Sequence, residues 1–467
     1  MIQINEQLSP ADFTSKLERF WQRSGECIDA IEATFPPGSP SPVSTVAGKY
    51  TAQGWTEWTQ GFQYGSALLH FDLTDDERYL DLGRDRTVER MASHLTHTGV
   101  HDHGFNNVST YGNLWRLICE GRVPDSTWER HFYELALKVT GAVQAARWAK
   151  TSDGTGYIYS FNGPQSLFVD TIRSCRALAV AHQLGHVLMG ERDEKIDLLE
   201  RLVEHACNTA RYNIWYGEDC DAYDLRGRTT HESVFNTNNG EYRCPSSQQG
   251  YSPFSTWTRG LAWAMVGYAE QLEWLQTRDT LELEACGGSS AIEATFLNAA
   301  RATCDFYIDN TPTCGIPYWD TGAPGLAQLG NYLDQPADPF NDFEPVDSSA
   351  AAIAAQGLLR LGHYMESLGD STDSRQYTQA GLTVLDTLLG ETYLPVDSRL
   401  PVDGGHQGLI LHSVYHRPNG WDYIPTGRKI PCGESSMWGD YHAREAALYV
   451  ERLAKDEPYY TFFGPDV

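Results

Sequence analysis

Apolar residues recur at the spacing of an amphipathic helix along most of this 467-residue chain, and this periodicity constrains the fold more than any other feature. The first example follows Ser9 and Pro10, which suit an N-cap and a first helical position, and it runs from Phe13 to Ile31. The two-residue alternation typical of strands is scarce. The pattern predicts about twelve helices, near residues 10–33, 55–72, 75–97, 104–119, 125–149, 164–185, 189–211, 255–277, 290–309, 347–367, 371–390 and 437–454.

Three long segments interrupt these helices, at residues 212–254, 311–346 and 391–436, and loops of this length are usually functional. No proline-rich linker or run of like charges marks a domain boundary, so we expect one domain over residues 1–467. Pairing the helices into six hairpins predicts an all-α fold, a closed (α/α)6 toroid whose inner helices converge on a funnel. An open helical solenoid is the alternative, although the sequence contains no repeat of fixed period.

The chain carries 62 acidic and 35 basic residues, which gives a formal net charge of −27. Such a charge opposes binding to nucleic acids and to anionic membranes, and no apolar run is long enough to span a bilayer. Aromatic residues make up 12% of the chain and provide flat surfaces with polar edges, which suit sugars. The sequence leaves the choice between a monomer and a homodimer open.

The first residues, MIQINEQLSPADF, contain neither a basic start with an apolar run nor a small-residue cleavage site. We therefore expect a cytoplasmic protein, or a periplasmic one if a leader has been removed. The ten cysteines occur singly, without the paired spacing of a zinc site. Cys220 and Cys244 flank one loop closely enough for a disulfide, whereas a reducing compartment favours free thiols.

The segment HDHGF, residues 101–105, places two histidines around Asp102 just before a predicted helix. Histidines two residues apart on a helix cannot face one point, and no third ligand follows at a suitable spacing, so we expect neither a metal nor another cofactor. Asp102 is suited to act as an N-cap carboxylate or as a proton-transfer group. The sequence leaves these two interpretations open.

A second aspartate, Asp170, lies between Phe168 and Ile172 on a predicted helix that is strongly apolar. A carboxylate in such surroundings is unfavourable unless it is paired or protonated. One interpretation pairs Asp170 with Arg173 or Arg176. The other is a carboxyl group with a raised pKa that can donate a proton near neutral pH.

A third group of candidates lies in QGYSPFSTWTRGLAW, where Trp257 and Trp263 flank Arg259. A guanidinium beside indole rings can hold a sugar carboxylate while the sugar ring stacks. An internal aspartate could instead neutralise Arg259. His231 precedes this segment in the long loop, where it could reach the same funnel or remain solvated.

Several motifs follow one another in an order that resembles the unsaturated glucuronyl hydrolases of glycoside hydrolase family 88. They are WTEWTQGF, HDHGF, FVDTIRS, the spaced Gln249, Arg259 and Trp263, DSSAAAIAA and WGDYHAREAAL, and they extend from residue 55 through the last predicted helix. The resemblance implies the (α/α)6 toroid and a substrate oligosaccharide that ends in a 4,5-unsaturated uronic acid. It also implies hydration of the enol ether, with a proton added at C4 and oxygen from water at C5, after which the hemiketal opens.

The resemblance assigns the general acid and base to Asp170 and its essential carboxylate partner to Asp102. The substrate-binding residues that it implies are His101, Phe105, Trp58, Phe161, His231, Gln249, Arg259 and Trp263. This chain has DTIRS where many relatives have Asp-Thr-Met-Met-Asn, so we expect Arg173 and Ser174 to lie near the acid and to influence preference for sulfate or N-acetyl groups. Phe161, or Tyr159, stands where the family often has a tryptophan.

Three alternatives remain at this point. The unsaturated rhamnogalacturonyl hydrolases share the fold and the chemistry, although HDHGF and the late GDY segment favour the glucuronyl enzymes. Sugar 2-epimerases share the toroid and would use His101, His103 and His231 as bases. A glycan-binding protein without catalytic activity could also retain the fold.

Overall fold

The computed structural model describes residues 1–36, 38–53, 57–395 and 405–465. Six helices in this part of the chain are largely buried and form an inner ring. They are Gln60–Thr74; His103–Asn107, continued by Val108–Gly112 and Asn113–Cys119; Thr171–Ser174, continued by Arg176–Gln183; Thr258–Leu275; Ser348–Ser367; and Met437–Ala454. Six outer helices surround them, at Thr14–Thr34, Glu77–Arg90, Thr127–Ala146, Leu198–Asn213, Ser289–Asn310 and Ser371–Leu388.

The inner helices form a closed ring. Each packs against the next inner helix along the chain, and the last one, Met437–Ala454, packs against the first, Gln60–Thr74. Each outer helix packs against inner helices. The closed contact between the first and last inner helices confirms the (α/α)6 toroid and excludes the open solenoid.

Residue type explains which helices lie inside. Every residue of Thr258–Leu275 is buried, and its apolar side chains point in all directions, as expected for a helix surrounded by protein. Gly267 belongs to this helix, and a Cβ there would lie 2.7 Å from the Ile172 side chain of the neighbouring inner helix. The outer helix Leu198–Asn213 instead buries one face and exposes charged residues on the other.

Charged side chains from four inner helices meet inside the ring. Arg173 forms salt bridges with Glu270 at 2.9 Å and with Glu445 at 2.6 Å, and all three side chains are fully buried. Arg176 lies 3.5 Å from Glu445, and Arg360 lies 3.9 Å from Glu270. Each acid in this cluster therefore faces more than one guanidinium.

Short strands occur in the connections. Ser166–Phe168, Glu232–Phe235 and Tyr242–Ser246 form an antiparallel three-stranded sheet, with Glu232–Phe235 in the middle. The two-stranded pairs are Pro42–Val46 with Lys49–Ala52, Trp148–Lys150 with Gly156–Ile158, and Leu188–Met189 with Lys195–Ile196. Further short helical segments are Pro10–Phe13, Glu57–Thr59, Ala92–Leu95, Glu191–Asp193, Thr280–Ala285, Pro324–Leu329, Tyr332–Asp334 and Arg417–Asn419.

Two predicted helix starts are wrong. The helix predicted near 164–185 begins only at Thr171, because residues 166–168 pair with Glu232–Phe235 as a strand. The helix predicted near 189–211 begins at Leu198, where the Asp197 side chain accepts a hydrogen bond from the Leu199 amide at 2.7 Å. A short apolar run does not distinguish a buried strand from a buried helix by periodicity alone.

Parts of two predicted segments lie outside the described residues. They are residues 55 and 56 of the helix predicted near 55–72, and residues 396–404 of the long loop predicted at 391–436. All ten cysteines are described, and each, including Cys220 and Cys244, is a free thiol. Within the described ranges, no helix combines the length and the apolar character needed to cross a membrane.

Candidate active site

A cavity of about 250 Å³ opens at the N-terminal ends of the inner helices. Trp58, Asp102 and Asp170 lie at or just before the starts of three inner helices, and Trp257 precedes a fourth. The cavity is lined by Trp58, His97, Gly99, Val100, His101, Asp102, Asn106, Phe161, Asp170, Gln248, Gln249, Trp257, Arg259, Trp263, Tyr415 and His416. Because helix N-termini present free amides and positive dipole ends, this end of the ring favours anions in a protein of net charge −27.

Asp102 and Asp170 occupy equivalent places in the ring. Each is the N-cap residue of an inner-helix segment, yet neither side chain accepts a capping hydrogen bond. Each aspartate is 8% exposed and lines the cavity. Asp102 thus occupies the N-cap position, but its carboxylate does not cap the helix and faces the cavity instead. The interpretation of Asp102 as a capping carboxylate is therefore wrong.

One imidazole lies between the two carboxyl groups. Nε2 of His101 is 3.7 Å from Oδ1 of Asp102 and 3.6 Å from Oδ1 of Asp170, and the histidine is 2% exposed. Both ring nitrogens of His101 are buried without a hydrogen-bond partner, and so is Oδ1 of Asp170. The partner of Asp170 is thus a histidine, and neither Arg173 nor Arg176 pairs with it.

The three groups shift one another's pKa values. Burial raises the pKa of Asp102, and the neighbouring Asp170 adds to this rise although His101 opposes it. Burial acts in the same direction on Asp170, but His101 outweighs it, so the pKa of Asp170 is lowered, opposite to the raised pKa expected from the sequence. Burial lowers the pKa of His101, but the two carboxylates outweigh it and leave that pKa raised. These directions favour a protonated imidazole between two carboxylates in the free site.

The backbone of His101 is held by neighbouring helices. Its carbonyl oxygen accepts hydrogen bonds from Oγ of Ser174 at 2.6 Å and from Nε2 of Gln144 at 3.1 Å. Oγ of Ser174 also accepts a hydrogen bond from the Gly104 amide at 2.9 Å. Ser174 thus ties the segment that carries His101 and Asp102 to the helix that follows Asp170.

Gly104 explains the glycine of the HDHGF motif. A Cβ at Gly104 would overlap the carbonyl oxygen of Ser174 and lie 2.5 Å from its Cα. The helix that begins after Asp102 can therefore approach the helix that begins after Asp170 only with glycine at this position. This close approach sets the separation of the two carboxyl groups.

Arg259 is neutralised inside the protein. Its Nη1 is 3.0 Å from Oδ2 of Asp347, and its Nη2 donates to Oε1 of Gln249 at 2.8 Å and to the Tyr415 carbonyl at 2.7 Å. The guanidinium lies over Trp257 and Trp438, at 4.7 and 4.9 Å from the ring centroids. Of the two open interpretations, the internal aspartate is thus the one that the structure favours. The sequence predicted that Trp257 and Trp263 flank Arg259. Trp257 does so, but the second indole ring belongs to Trp438, so the prediction for Trp263 was wrong.

Aromatic rings form one wall of the cavity. Trp58 stacks on Trp438 with ring centroids 5.1 Å apart, and its Nε1 donates to the Tyr415 hydroxyl at 3.4 Å. Trp263 lines the cavity and packs against Phe105, whose ring centroid is 4.9 Å away. Phe105 is 1% exposed and does not line the cavity, so it supports this wall from behind.

Phe161 also lines the cavity. Its ring stacks on His101 at 6.0 Å with an interplanar angle of 15°. Tyr159, the other residue considered for this position, lies under the guanidinium of Arg147 at 4.2 Å and does not line the cavity. Phe161 is therefore the residue of this segment that a ligand can contact.

His231 lies behind the cavity and supports its loop. Its Nδ1 accepts hydrogen bonds from the amides of Gln248 and Gln249 at 3.0 and 3.3 Å, and its ring packs on Phe168 at 4.2 Å. Burial lowers the pKa of His231 to about 4, so its imidazole is neutral near neutral pH. Nε2 of His231 is buried and has no hydrogen-bond partner.

Arg173 lies away from the cavity. It is fully buried in the ion cluster inside the ring and does not line the cavity, so it cannot contact a substrate there directly. Its influence on preference for sulfate or N-acetyl groups stays a prediction. Ser174 is also fully buried and acts on the backbone of His101. The helix after Asp170 turns both side chains inward, towards other inner helices.

Several lining residues were missed by the sequence interpretation, namely His97, Asn106, Gln248, Tyr415 and His416. Tyr415 and His416 lie more than 300 positions from HDHGF, and no local pattern connects them to it. His97 and Asn106 flank HDHGF closely, so proximity in the sequence was the available signal. Among the described residues, no group of three or more histidine, cysteine, aspartate or glutamate side chains is arranged to hold a metal ion.

A closed ring of inner and outer helices, with two carboxyl groups at the starts of adjacent inner helices, defines an (α/α)6 protein with a paired-carboxyl cavity. The chain is 27% identical over 423 residues to an unsaturated glucuronyl hydrolase of Bacillus sp. strain GL1, covering 88% of this chain and 90% of that protein. It is 23% identical over 461 residues to an unsaturated chondroitin disaccharide hydrolase of Streptococcus pyogenes serotype M1, covering 97% and 94%.

A solved structure gives the same result for the fold. The unsaturated glucuronyl hydrolase from Bacillus sp. GL1 matches with a TM-score of 0.67 at 23% identity, over 92% of this chain and 97% of that one. No family model matches the chain. The resemblance to unsaturated glucuronyl hydrolases is confirmed by the curated relatives, and the helical barrel fold is confirmed by the structure.

Proposed function

We propose that this protein is a glycoside hydrolase that removes a 4,5-unsaturated uronic acid from the non-reducing end of an oligosaccharide. The observation that carries the proposal is the pair of N-cap aspartates, Asp102 and Asp170, which leave their helices uncapped and face one cavity. The curated relatives with similarity over most of this chain are named as unsaturated glucuronyl and unsaturated chondroitin disaccharide hydrolases.

The proposed reaction is hydration of the C4=C5 enol ether. Asp170 donates a proton to C4, and positive charge develops at C5 and the ring oxygen. The Asp102 carboxylate stabilises this charge, and the Asp170 carboxylate accepts a proton from the water whose oxygen adds to C5. The hemiketal that results opens and releases the remaining saccharide.

The other lining residues bind and orient the sugar. Trp58, Trp263 and Phe161 offer ring faces and edges to the pyranose, while the helix N-termini and Gln249 favour its carboxylate. Arg259 is neutralised by Asp347 and hydrogen-bonded to Gln249. We therefore assign it two roles, which are to hold these cavity residues in place and to contact the sugar. His231 and Phe105 support this surface from behind.

The arrangement of histidines favours a hydrolase over a 2-epimerase. Of the three proposed epimerase bases, only His101 lines the cavity. His103 bonds to Oγ1 of Thr140 at 2.7 Å, and burial lowers its pKa to about 4. The names of the relatives favour glucuronyl over rhamnogalacturonyl substrates.

The test is a panel of unsaturated disaccharides produced by lyases from hyaluronan, chondroitin, heparin, ulvan, gellan and pectin. We expect the purified protein to turn over at least one of them, measured as loss of absorbance from the conjugated enol ether. The matched saturated disaccharide should remain intact because it has no double bond to protonate. Cleavage of the saturated compound, or turnover of none of the panel, would refute the proposal.

The close approach at Gly104 gives a further prediction. Gly104→Ala is expected to lower kcat by about 100-fold, because moving catalytic groups apart by about 1 Å can cost that much. The measurement is kcat on the substrate found in the panel. Gly190→Ala is the control, since a Cβ there meets nothing closer than 3.4 Å and the residue lies away from the cavity. Equal kcat values for both variants would contradict this role of Gly104.

We also propose that residues 1–467 form one domain, on the basis of the closed ring, and that it acts as a monomer or homodimer. A cytoplasmic location is proposed because ten cysteines form no disulfide, as is usual in a reducing compartment. We propose that its partner is the oligosaccharide substrate and that it binds neither nucleic acids nor membranes.

A further inference from the structure

The proposed acid, Asp170, has surroundings that favour its ionised form. Its Oδ1 is buried without a hydrogen-bond donor and lies 3.6 Å from Nε2 of His101. A carboxyl group must carry a proton before it can protonate carbon. The proton for C4 therefore has to come from another group before Asp170 can act as the acid.

We propose that His101 stores the proton that Asp170 delivers, and that this proton passes from Nε2 of the imidazole to Oδ1 of Asp170 when the substrate enters. The inference rests on the proposed function. His101 acts through Asp170, so it is a positioning and proton-storing residue and does not itself protonate the sugar.

The contacts of His101 suit a proton store. The edge of its ring that carries Nε2 faces both Asp170 and Asp102, at 3.6 and 3.7 Å. Both ring nitrogens are buried without a hydrogen-bond partner, so no carbonyl or hydroxyl group fixes the position of its proton. Phe161 stacks on one face of the ring, and Phe168 meets it edge-on at 5.5 Å.

The other charged or titratable groups around His101 do not replace it. Arg147 repels a proton on the imidazole, but its guanidinium is bonded to the carbonyl groups of Thr98, Tyr159 and Ser160. His205 accepts a hydrogen bond from the Ile158 amide at 3.1 Å, and burial lowers its pKa to about 3.

His231, which also interacts electrostatically with Asp170, has its pKa lowered by burial to about 4. Among His101, His205 and His231, only His101 has a raised pKa, because the two carboxylates outweigh burial. It is thus the histidine of this group whose surroundings favour the protonated form.

Substrate entry supplies the reason for the transfer. The sugar expels water from the cavity, and a separated imidazolium and carboxylate lose more from dehydration than the neutral pair does. This loss of water moves the proton from His101 to Asp170.

The steps balance in atoms and charge. The N–H bond at Nε2 breaks as the O–H bond at Oδ1 forms, and Asp170 then gives this proton to C4 while the C4=C5 electron pair forms the new C–H bond. Water adds its oxygen to C5 and releases a proton to the Asp170 carboxylate. Return of that proton to His101 restores the starting state.

Two variants separate proton storage from stacking. His101→Gln retains a hydrogen-bond donor without a basic group, and His101→Phe retains the stacked ring without any nitrogen. We expect both to lower kcat by about 100-fold. The basic limb of the kcat/KM profile should also move to lower pH, because the proton is then held by a carboxyl group instead of an imidazole whose pKa is raised. Near-UV circular dichroism checks that the fold is retained.

A stacking role gives a different result. His101→Phe would then keep the wild-type kcat and the wild-type basic limb, with any effect confined to KM, and this outcome overturns the proposal. Turnover of none of the panel by the wild-type protein would instead refute the proposed function as well.

A substrate-free measurement gives an independent test. In the ¹⁵N-labelled protein, the imidazole signals of His101 should titrate at a higher pH than an ordinary histidine, and Asp170→Asn should move that titration to lower pH. Titration of His101 at or below the pH of an ordinary histidine in the wild-type protein overturns the proton store, whether or not the panel is turned over.

Discussion

Asp170→Asn is expected to lower kcat for the unsaturated disaccharide by about 1000-fold, because an amide cannot donate a proton to carbon. The side chains have nearly the same shape, and Oδ1 of Asp170 receives no hydrogen bond that the variant would lose. The fold should therefore be retained, with an unchanged apparent melting temperature. Stopped assays of disaccharide loss, run to long times, measure the residual rate.

The matched control for this prediction is Asp85→Asn. Asp85 has a side chain that is 62% exposed, on the outer helix Glu77–Arg90, and it should keep the wild-type kcat. A wild-type rate in Asp170→Asn would remove the assignment of Asp170 as the acid. A loss of activity accompanied by unfolding would be detected by the melting temperature, and Asp170→Ser would then repeat the test with a smaller side chain.

Arg173→Met is expected to destabilise the protein by about 3 to 5 kcal/mol, because it leaves buried acids without their main partner. Arg173 bridges Glu270 and Glu445, and the remaining guanidinium groups lie farther away, with Arg176 at 4.0 Å from Glu270 and 3.5 Å from Glu445. Without Arg173, the buried carboxylates lose most of the electrostatic attraction that offsets their desolvation. This favours the unfolded chain, where water solvates them. Urea denaturation followed by fluorescence measures the loss.

The control for the ion cluster is an exposed pair on the outer ring. Arg84 lies 2.5 Å from Asp81, with side chains that are 34% and 58% exposed, and Arg84→Met should change stability by about 1 kcal/mol or less. Equal shifts of the urea midpoint in Arg173→Met and Arg84→Met would contradict the structural role of the cluster. A stable Arg173→Met protein with altered preference for sulfated substrates would instead support the role in substrate preference that the sequence predicts.

The sequence predicts the ring well because helical periodicity reports which residues face protein. The inner helix Thr258–Leu275 and the outer helix Ser371–Leu388 lie close to their predicted bounds. The start near Asp170 was wrong because Leu167 and Phe168 belong to an apolar run that suits a buried strand equally well. The pairing of residues 166–168 with Glu232–Phe235 is a long-range contact that periodicity does not contain.

The candidate site is predicted in part for a similar reason. Residues near the starts of inner helices, such as Asp102, Asp170 and Trp58, belong to motifs that local sequence identifies. The neutralisation of Arg259 depends on Asp347, which caps the next inner helix, and this contact appears only in three dimensions. Tyr415 and His416 reach the cavity from a long loop whose path the sequence does not determine.

The contact between the first and last inner helices affects how the chain is made. Gln60–Thr74 leaves the ribosome long before Met437–Ala454, so its surface for that partner stays uncovered until the later helix has been synthesised. Ring closure is a step of very large sequence separation, which slows folding and leaves apolar helix surface exposed to chaperones in the meantime. Synthesis of Met437–Ala454, and not of any earlier hairpin, therefore completes the enclosure around the cavity.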